Sequence, residues 1–421
     1  MIPNRFTTSS TPNSPACSTG PTRSRAPMFG RCGSAVPRLE HILPAAMRNP
    51  LRVRILLLLL GGMSLFVGLC SGLWRLGWVL PHGASFAQLH GPLMISGLFG
   101  SLISLERAVA LARPWAYLGP IATGLGSLML LVGLPPVFGA SAYLLASGVL
   151  AFASLLILRQ QPALFTGALL FGALAWLAGN LLWLLGGAVP DLVGWWLVFL
   201  ILTIAGERLE MSRLLPRKSG SEALFVMVIG LLAVGARNGP MDNNGAVLFG
   251  FGLLTATIWL FRHDIARRTV QQKGQTRFFA ICMLLGYAWL GLAGAALLLW
   301  PPGVTAFGYD IALHAVLIGF VISMVFGHAL IILPAVTQWR VVYTPWLYLP
   351  LALLHLSVLL RVVGGLAEGA GLRQGSGIVT VLAIVAFMLT MAAATWRFRR
   401  DARNTHATLQ PPGSALPKAR S

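Results

Sequence analysis

About twelve long apolar segments run through this chain, and short polar or Gly/Pro-bearing connections separate them. Roughly 20 apolar residues suffice to cross a bilayer as a helix, and a lipid-exposed span must satisfy its own backbone hydrogen bonds. Only 10% of the residues are charged, whereas soluble domains contain about 25%. The sequence therefore predicts an all-α, polytopic membrane bundle with about twelve transmembrane helices. The predicted spans are residues 55–74, 86–106, 116–135, 138–158, 163–187, 190–207, 222–236, 245–261, 278–300, 308–333, 346–364 and 376–396.

Composition divides the chain into three regions. Residues 1–50 are rich in Arg, Ser and Pro and lack apolar periodicity, so we expect them to be disordered. Their composition also resembles a transit peptide, but we favour a start at Met47. Residues 51–398 form the transmembrane domain, and residues 399–421 form a polar tail.

The basic residues are distributed very unevenly between the two sides of the predicted membrane domain. With both termini inside, 27 of the 31 Lys and Arg residues are cytoplasmic, and only Arg75, Arg237, Arg361 and Arg373 lie outside. This asymmetry predicts a multi-pass protein of the bacterial inner membrane with both termini in the cytoplasm. The net charge of +20 is then an orientation signal that attracts anionic lipid head groups, and it does not imply nucleic-acid binding.

The cysteines exclude several kinds of site. The chain has four, Cys17, Cys32, Cys70 and Cys282, and they form neither a CxxC pair nor a CxxCH motif. A disulfide framework, a thiolate zinc site and covalently attached c-type haem are therefore unsupported.

A weak internal repeat relates spans two, six and ten. Spans two and six both end in Glu-Arg, at Glu106-Arg107 and Glu207-Arg208. Spans two and ten are both followed by a Pro-Trp pair, at Pro114-Trp115 and Pro345-Trp346. Since these spans are four helices apart, the pattern predicts three related units of four helices. The alternative is that Glu-Arg marks an interfacial ion pair.

Histidines within apolar spans are the strongest functional candidates, because an ionisable group is costly in lipid. His314 and His328 lie in span ten, 14 residues apart. Regular α-helical geometry places them on one face but about 21 Å apart along the axis, too far to share a metal ion. His90 of span two lies at a depth similar to that of His314. Two histidines on different helices at one depth suit the two axial ligands of a haem, and Met94 lies one turn from His90.

These residues have other interpretations, which the sequence leaves open. Each histidine could hydrogen-bond to a neighbouring helix or belong to a transport pathway, as in a secondary transporter. A cofactor-free scaffold for a respiratory complex is a further alternative. His328 could be a second metal ligand, a proton-relay group or a satisfied polar residue, and His355 is the candidate for its partner.

The membrane region, residues 52–398, resembles a known group of proteins. The twelve spans, the stretch from His90 to Met94 that opens span two, and His314 near the outer end of span ten resemble the catalytic subunit of haem-copper oxidases and nitric-oxide reductases. The segment from Leu313-His314 to Gly327-His328 is also similar to the paired-histidine helix of NnrS-type haem-containing membrane proteins. The resemblance implies that His90 and His314 hold a low-spin haem b.

Two departures from the oxidase pattern limit what this resemblance implies. That family has a second histidine two residues from the ligand in span ten, where this chain has Ala312 and Val316. It also has copper-ligating histidines in spans six and seven, which contain none here. We therefore expect no copper, and we expect electron transfer or a response to nitric oxide or another diatomic gas. Whether the protein is an enzyme stays open, as does the identity of its redox partner.

Overall fold

The computed structural model describes residues 50–81, 83–211, 220–240, 242–302 and 306–408. The predicted disordered segment 1–50 lies outside these ranges except for Pro50, and so does the tail from residue 409. The described residues form helices and no β-strand. The prediction of an all-α, polytopic helical bundle is confirmed.

Twelve principal helices follow one another along the chain. They are α1 Pro50–Arg75, α2 Ala84–Leu111, α3 Leu118–Leu131, α4 Pro136–Gln160, α5 Leu164–Leu184, α6 Val189–Met211, α7 Ser221–Asn238, α8 Asn243–His263, α9 Gln275–Leu299, α10 Gly308–Thr337, α11 Tyr348–Leu366 and α12 Ala370–Thr408.

Eleven of the described helices are long and apolar enough to cross a membrane, which makes the chain a multi-pass membrane protein. The remaining one, α3, has 14 residues and is about 21 Å long, shorter than a hydrocarbon core of about 30 Å. A 3₁₀ turn at Pro114–Tyr117 precedes it. It runs antiparallel to α4, since Leu130 lies beside Gly139 and Gly119 lies beside Val149. The third predicted span, residues 116–135, is therefore a shortened helix within the bundle.

Helices α2 and α10 share an irregular construction. Each contains a π-helical segment in its first half, Leu93–Phe99 in α2 and Ala315–Ile322 in α10. Each ends at a residue in the left-handed conformation, Ala112 with φ 51° and Gln338 with φ 60°. A 3₁₀ turn then precedes the next helix in both cases. Two of the three predicted units are thus alike in this respect, while the three-fold repeat as a whole stays a prediction. The end of the bundle where α2 and α10 begin is called the upper end below.

A buried amide joins four helices in the interior. Asn180 of α5 is fully buried. Its Nδ2 donates to the carbonyl of Tyr143, 3.0 Å away, and to Oγ of Ser147, 3.2 Å away. Its Oδ1 accepts from Oγ of Ser96 at 3.0 Å and from Nε1 of Trp196 at 3.1 Å. All four hydrogen-bonding positions of the amide are filled, so Asn180 connects α5 with α2, α4 and α6.

Replacing Asn180 by Ala should destabilise the bundle by about 2 kcal/mol, because interhelical hydrogen bonds in membrane proteins average about 0.6 kcal/mol each. Reversible unfolding in detergent would measure the loss. Asn238→Ala, at the exposed end of α7, is the control and should change the free energy of unfolding by less than about 0.5 kcal/mol. Equal stability of the two variants would contradict a structural role for the Asn180 hydrogen bonds.

Candidate functional site

A cavity of about 750 Å³ lies at the upper end of the bundle. Residues from α1, α2, α4, α5, α6, α10, α11 and α12 line it, so helices that are distant in sequence contribute to it. His90, His314 and Met94, three of the residues singled out from the sequence, all line this cavity. The structure therefore brings together the two histidines that the sequence placed at one depth.

The imidazole rings of His90 and His314 lie close together in the cavity. Their ring centroids are 6.4 Å apart and their planes are inclined by 24°. They come from α2 and α10, just before the π-helical segment of each helix. Because a π-helical turn contains more residues than an α-helical turn, each segment changes the direction in which the preceding histidine points.

The Nδ1 atom of His90 is held by the backbone of α1. It lies 2.7 Å from the carbonyl oxygen of Gly68, and a carbonyl only accepts hydrogen bonds, so Nδ1 carries the proton. Nε2 then keeps its lone pair. The ring also packs against Gly72, where an added Cβ would lie 2.9 Å from Cε1 of His90. Helix α1 thus fixes both the tautomer and the position of this imidazole.

The Nδ1 atom of His314 has two acceptors, both from Asp310 one turn earlier. It lies 2.9 Å from the Asp310 carbonyl oxygen and 3.1 Å from the carboxylate Oδ1. Nδ1 is therefore the protonated nitrogen of His314 as well, and its Nε2 is free to accept or to ligate. Histidine ligands of metals commonly donate their second N–H to a carbonyl or a carboxylate, which is the arrangement of both rings here.

The carboxylate of Asp310 lies at the centre of an ion cluster at the upper end. Arg361 of α11 donates to it from Nε at 2.9 Å and from NH2 at 2.8 Å, a bidentate pair. NH2 of Arg373 in α12 lies 3.6 Å from Oδ2. Arg75 of α1 also lines the cavity and donates to the carbonyl of Ala87 at 3.3 Å. The cavity therefore combines three guanidinium groups with one carboxylate.

The charge asymmetry of the sequence distinguishes these arginines from the other basic residues. Arg75, Arg361 and Arg373 are three of the four basic residues on the side of the predicted membrane domain that is poor in Lys and Arg. An arginine on the side that is poor in basic residues needs a local reason to lie there. Here the reason is the cavity, and for Arg361 and Arg373 it is also Asp310.

His328 lies away from the cavity, and the structure gives it other partners. Its Nδ1 lies 2.7 Å from the carbonyl of Met324, and its Nε2 lies 2.9 Å from NH2 of Arg208 in α6. Arg208 always donates, so Nε2 accepts and both ring nitrogens are engaged. No lone pair remains for a metal in this arrangement. His328 is therefore not included in the candidate site.

Two further expectations about His328 need correction. The expectation that His314 and His328 share one face assumed regular α geometry, and the π-helical segment Ala315–Ile322 between them replaces it. His314 faces α2, whereas His328 contacts α6 and α9. His355, the suggested partner of His328, instead accepts a hydrogen bond at Nδ1 from Nε1 of Trp289, 2.8 Å away.

Asp310→Leu should lower the free energy of unfolding by about 3 kcal/mol, because it leaves the buried Arg361 without its counterion. The double variant Asp310→Leu with Arg361→Met should be less destabilised than the two single variants added together, since the charge pair is removed as a unit. Chemical unfolding in detergent would measure all three. Strictly additive losses would show that the two residues are not coupled.

Comparisons with known proteins give one match. Residues 54–396 match the model of a family described as "Domain of unknown function (DUF8744)". No curated protein and no solved structure matches the chain.

Proposed function

This chain belongs to the DUF8744 family, and we propose that it is a membrane haem protein in which His90 and His314 are the two axial ligands of one haem b. The family match covers all the helices that line the cavity, apart from the ends of α1 and α12. The proposal rests on the geometry of the histidine pair and on the character of the cavity around it.

The separation of the two rings is the observation that carries the proposal. An imidazole nitrogen lies about 2 Å from a metal ion that it ligates, so two imidazoles on opposite sides of one ion have ring centres roughly 6 Å apart. The observed separation of the ring centroids is 6.4 Å. Because both Nδ1 atoms are occupied by backbone or carboxylate acceptors, Nε2 is the nitrogen that each ring has available.

The cavity also suits a flat, largely apolar ligand with carboxylates at one edge. Its walls include Leu69, Ile95, Phe99, Leu317 and Ile318. At the same end of the bundle, Arg75, Arg361 and Arg373 line it. The haem ring would contact the apolar walls, and these arginines would hold its propionates through charge-assisted hydrogen bonds. Met94 would pack against the ring near His90.

When bound, haem supplies a one-electron redox couple. The residues of the chain hold and tune this group. The carbonyl of Gly68 orients His90, and the carboxylate of Asp310 orients His314 because it accepts a hydrogen bond from Nδ1–H. Because His90 and His314 would both be engaged in holding the haem, the arrangement favours electron transfer over oxygen or nitric-oxide turnover. A response to a diatomic gas would require one histidine to leave the iron.

The charge asymmetry of the sequence supplies the proposed orientation. With the termini in the cytoplasm of a bacterial inner membrane, the upper end and its cavity face outward. A redox partner would then exchange electrons with the haem from the outer side.

Replacing either His90 or His314 by Ala should abolish or convert the low-spin spectrum of the detergent-purified protein, since each change removes one axial ligand. Absorption spectra of the oxidised and dithionite-reduced forms would show this. His263→Ala should leave the spectrum unchanged, because His263 donates to the carbonyl of Trp259 near the end of α8. A normal spectrum in both single variants would contradict the assignment of His90 and His314 as haem ligands. A wild-type protein with no Soret band would favour a transporter or a scaffold.

Cysteine labelling of intact cells tests the orientation. In a variant whose native cysteines are replaced, a cysteine at Gly220 should react only after the membrane is permeabilised, whereas one at Asn243 should react from outside. Both positions are exposed and flank α7. The reverse pattern would place the histidine pair near the cytoplasmic side.

A further inference from the structure

The last helix continues beyond the length needed to cross a membrane. Helix α12 has 39 residues, about 58 Å, whereas the hydrocarbon core of a bilayer is about 30 Å thick. Its later part carries Arg397, Arg399 and Arg400, all of them exposed. This part of α12 lies at the lower end of the bundle, opposite the histidine cavity.

Two of these arginines lie over exposed tryptophans. The guanidinium carbon of Arg399 is 5.0 Å from the ring centroid of Trp339, which follows the end of α10. That of Arg400 is 5.6 Å from the ring centroid of Trp396, one turn earlier in α12. Trp339 is 38% exposed and Trp396 is 61% exposed. Cation–π contacts of this kind hold a guanidinium over the ring and leave N–H groups at its edges for another acceptor.

The connection between α10 and α11 completes this surface. The 3₁₀ turn Pro345–Leu347 packs against α12, and its Trp346 is 67% exposed. Arg340 in the same connection is also exposed. We call these six residues the Arg-Trp surface: Trp339, Arg340, Trp346, Trp396, Arg399 and Arg400. Arg340, Arg399 and Arg400 give this surface a net positive charge, with Asp401 directly after Arg400 as the acidic residue nearest in sequence.

We propose that the Arg-Trp surface binds the phosphate head group of an anionic phospholipid in the leaflet at the lower end. Tryptophans are typical of the membrane-water interface, where head groups lie. The planar guanidinium group of arginine can donate two parallel hydrogen bonds to phosphate oxygens, which the ammonium group of lysine cannot do. The proposal concerns one defined site, whereas the net charge of the chain implies only a general attraction to anionic lipid. It does not depend on the haem proposal.

The test measures how tightly the full-length wild-type and variant proteins in detergent retain each of two lipids. The readouts are native mass spectrometry and thermal unfolding. The probes are dioleoylphosphatidylglycerol and, as the uncharged reference, dioleoylphosphatidylcholine. The wild-type protein should retain phosphatidylglycerol more tightly. In the variant Arg399→Gln with Arg400→Gln this affinity should fall by roughly 25-fold, since each arginine near anionic lipid contributes about fivefold.

The matched control removes two positive charges from another part of the same side of the protein. Arg268→Gln with Lys273→Gln changes exposed residues in the connection between α8 and α9, and it should keep the affinity within about twofold of the wild type because exposed charges outside the site are largely screened beyond about 10 Å at 0.1 M salt. Unfolding in phosphatidylcholine alone checks that both double variants are folded. Equal losses in the two variants, or no preference for phosphatidylglycerol, would overturn the proposal. Binding of soluble polyglutamate with the same arginine dependence would assign the surface to an acidic protein segment and would overturn it too.

Discussion

A bilayer offers no water to the polar groups within it, so the buried polar side chains of this bundle depend on partners within the protein. Asn180 has four partners, and Asp310 is paired with two arginines and a histidine. These contacts join α5 to α2, α4 and α6 around Asn180, and α10 to α11 and α12 around Asp310. The same requirement gives the candidate site its form, because the contacts that satisfy Nδ1 of both histidines also leave both Nε2 atoms available.

The all-α bundle could be predicted from the sequence because it follows from the length and composition of the spans. Eleven spans are long and apolar enough in the structure. The helix of the third predicted span, α3, is shorter than the predicted 116–135 at both ends, because the 3₁₀ turn Pro114–Tyr117 precedes it and Gly133 with φ 81° follows it. The pairing of His90 with His314 could be proposed from depth, since depth follows directly from counting residues along a span.

What could not be predicted depends on departures from regular geometry and on tertiary partners. The two π-helical segments, Leu93–Phe99 and Ala315–Ile322, invalidate a count of 100° per residue, so the direction of His328 relative to His314 could not be obtained that way. The pairing of His328 with Arg208 joins residues 120 positions apart and left no local pattern. Asp310 and Arg361 were both visible in the sequence, but nothing in it indicated that they meet.

The central claim is that His90 and His314 ligate one iron from opposite sides, and electron paramagnetic resonance of the oxidised protein tests it most directly. The protein would be purified from cells supplied with a haem precursor, and its haem content would be measured per chain. The account predicts one haem per chain and a low-spin ferric signal typical of two imidazole ligands. A high-spin ferric signal with an equivalent haem content, or a folded protein that retains no haem, would contradict it.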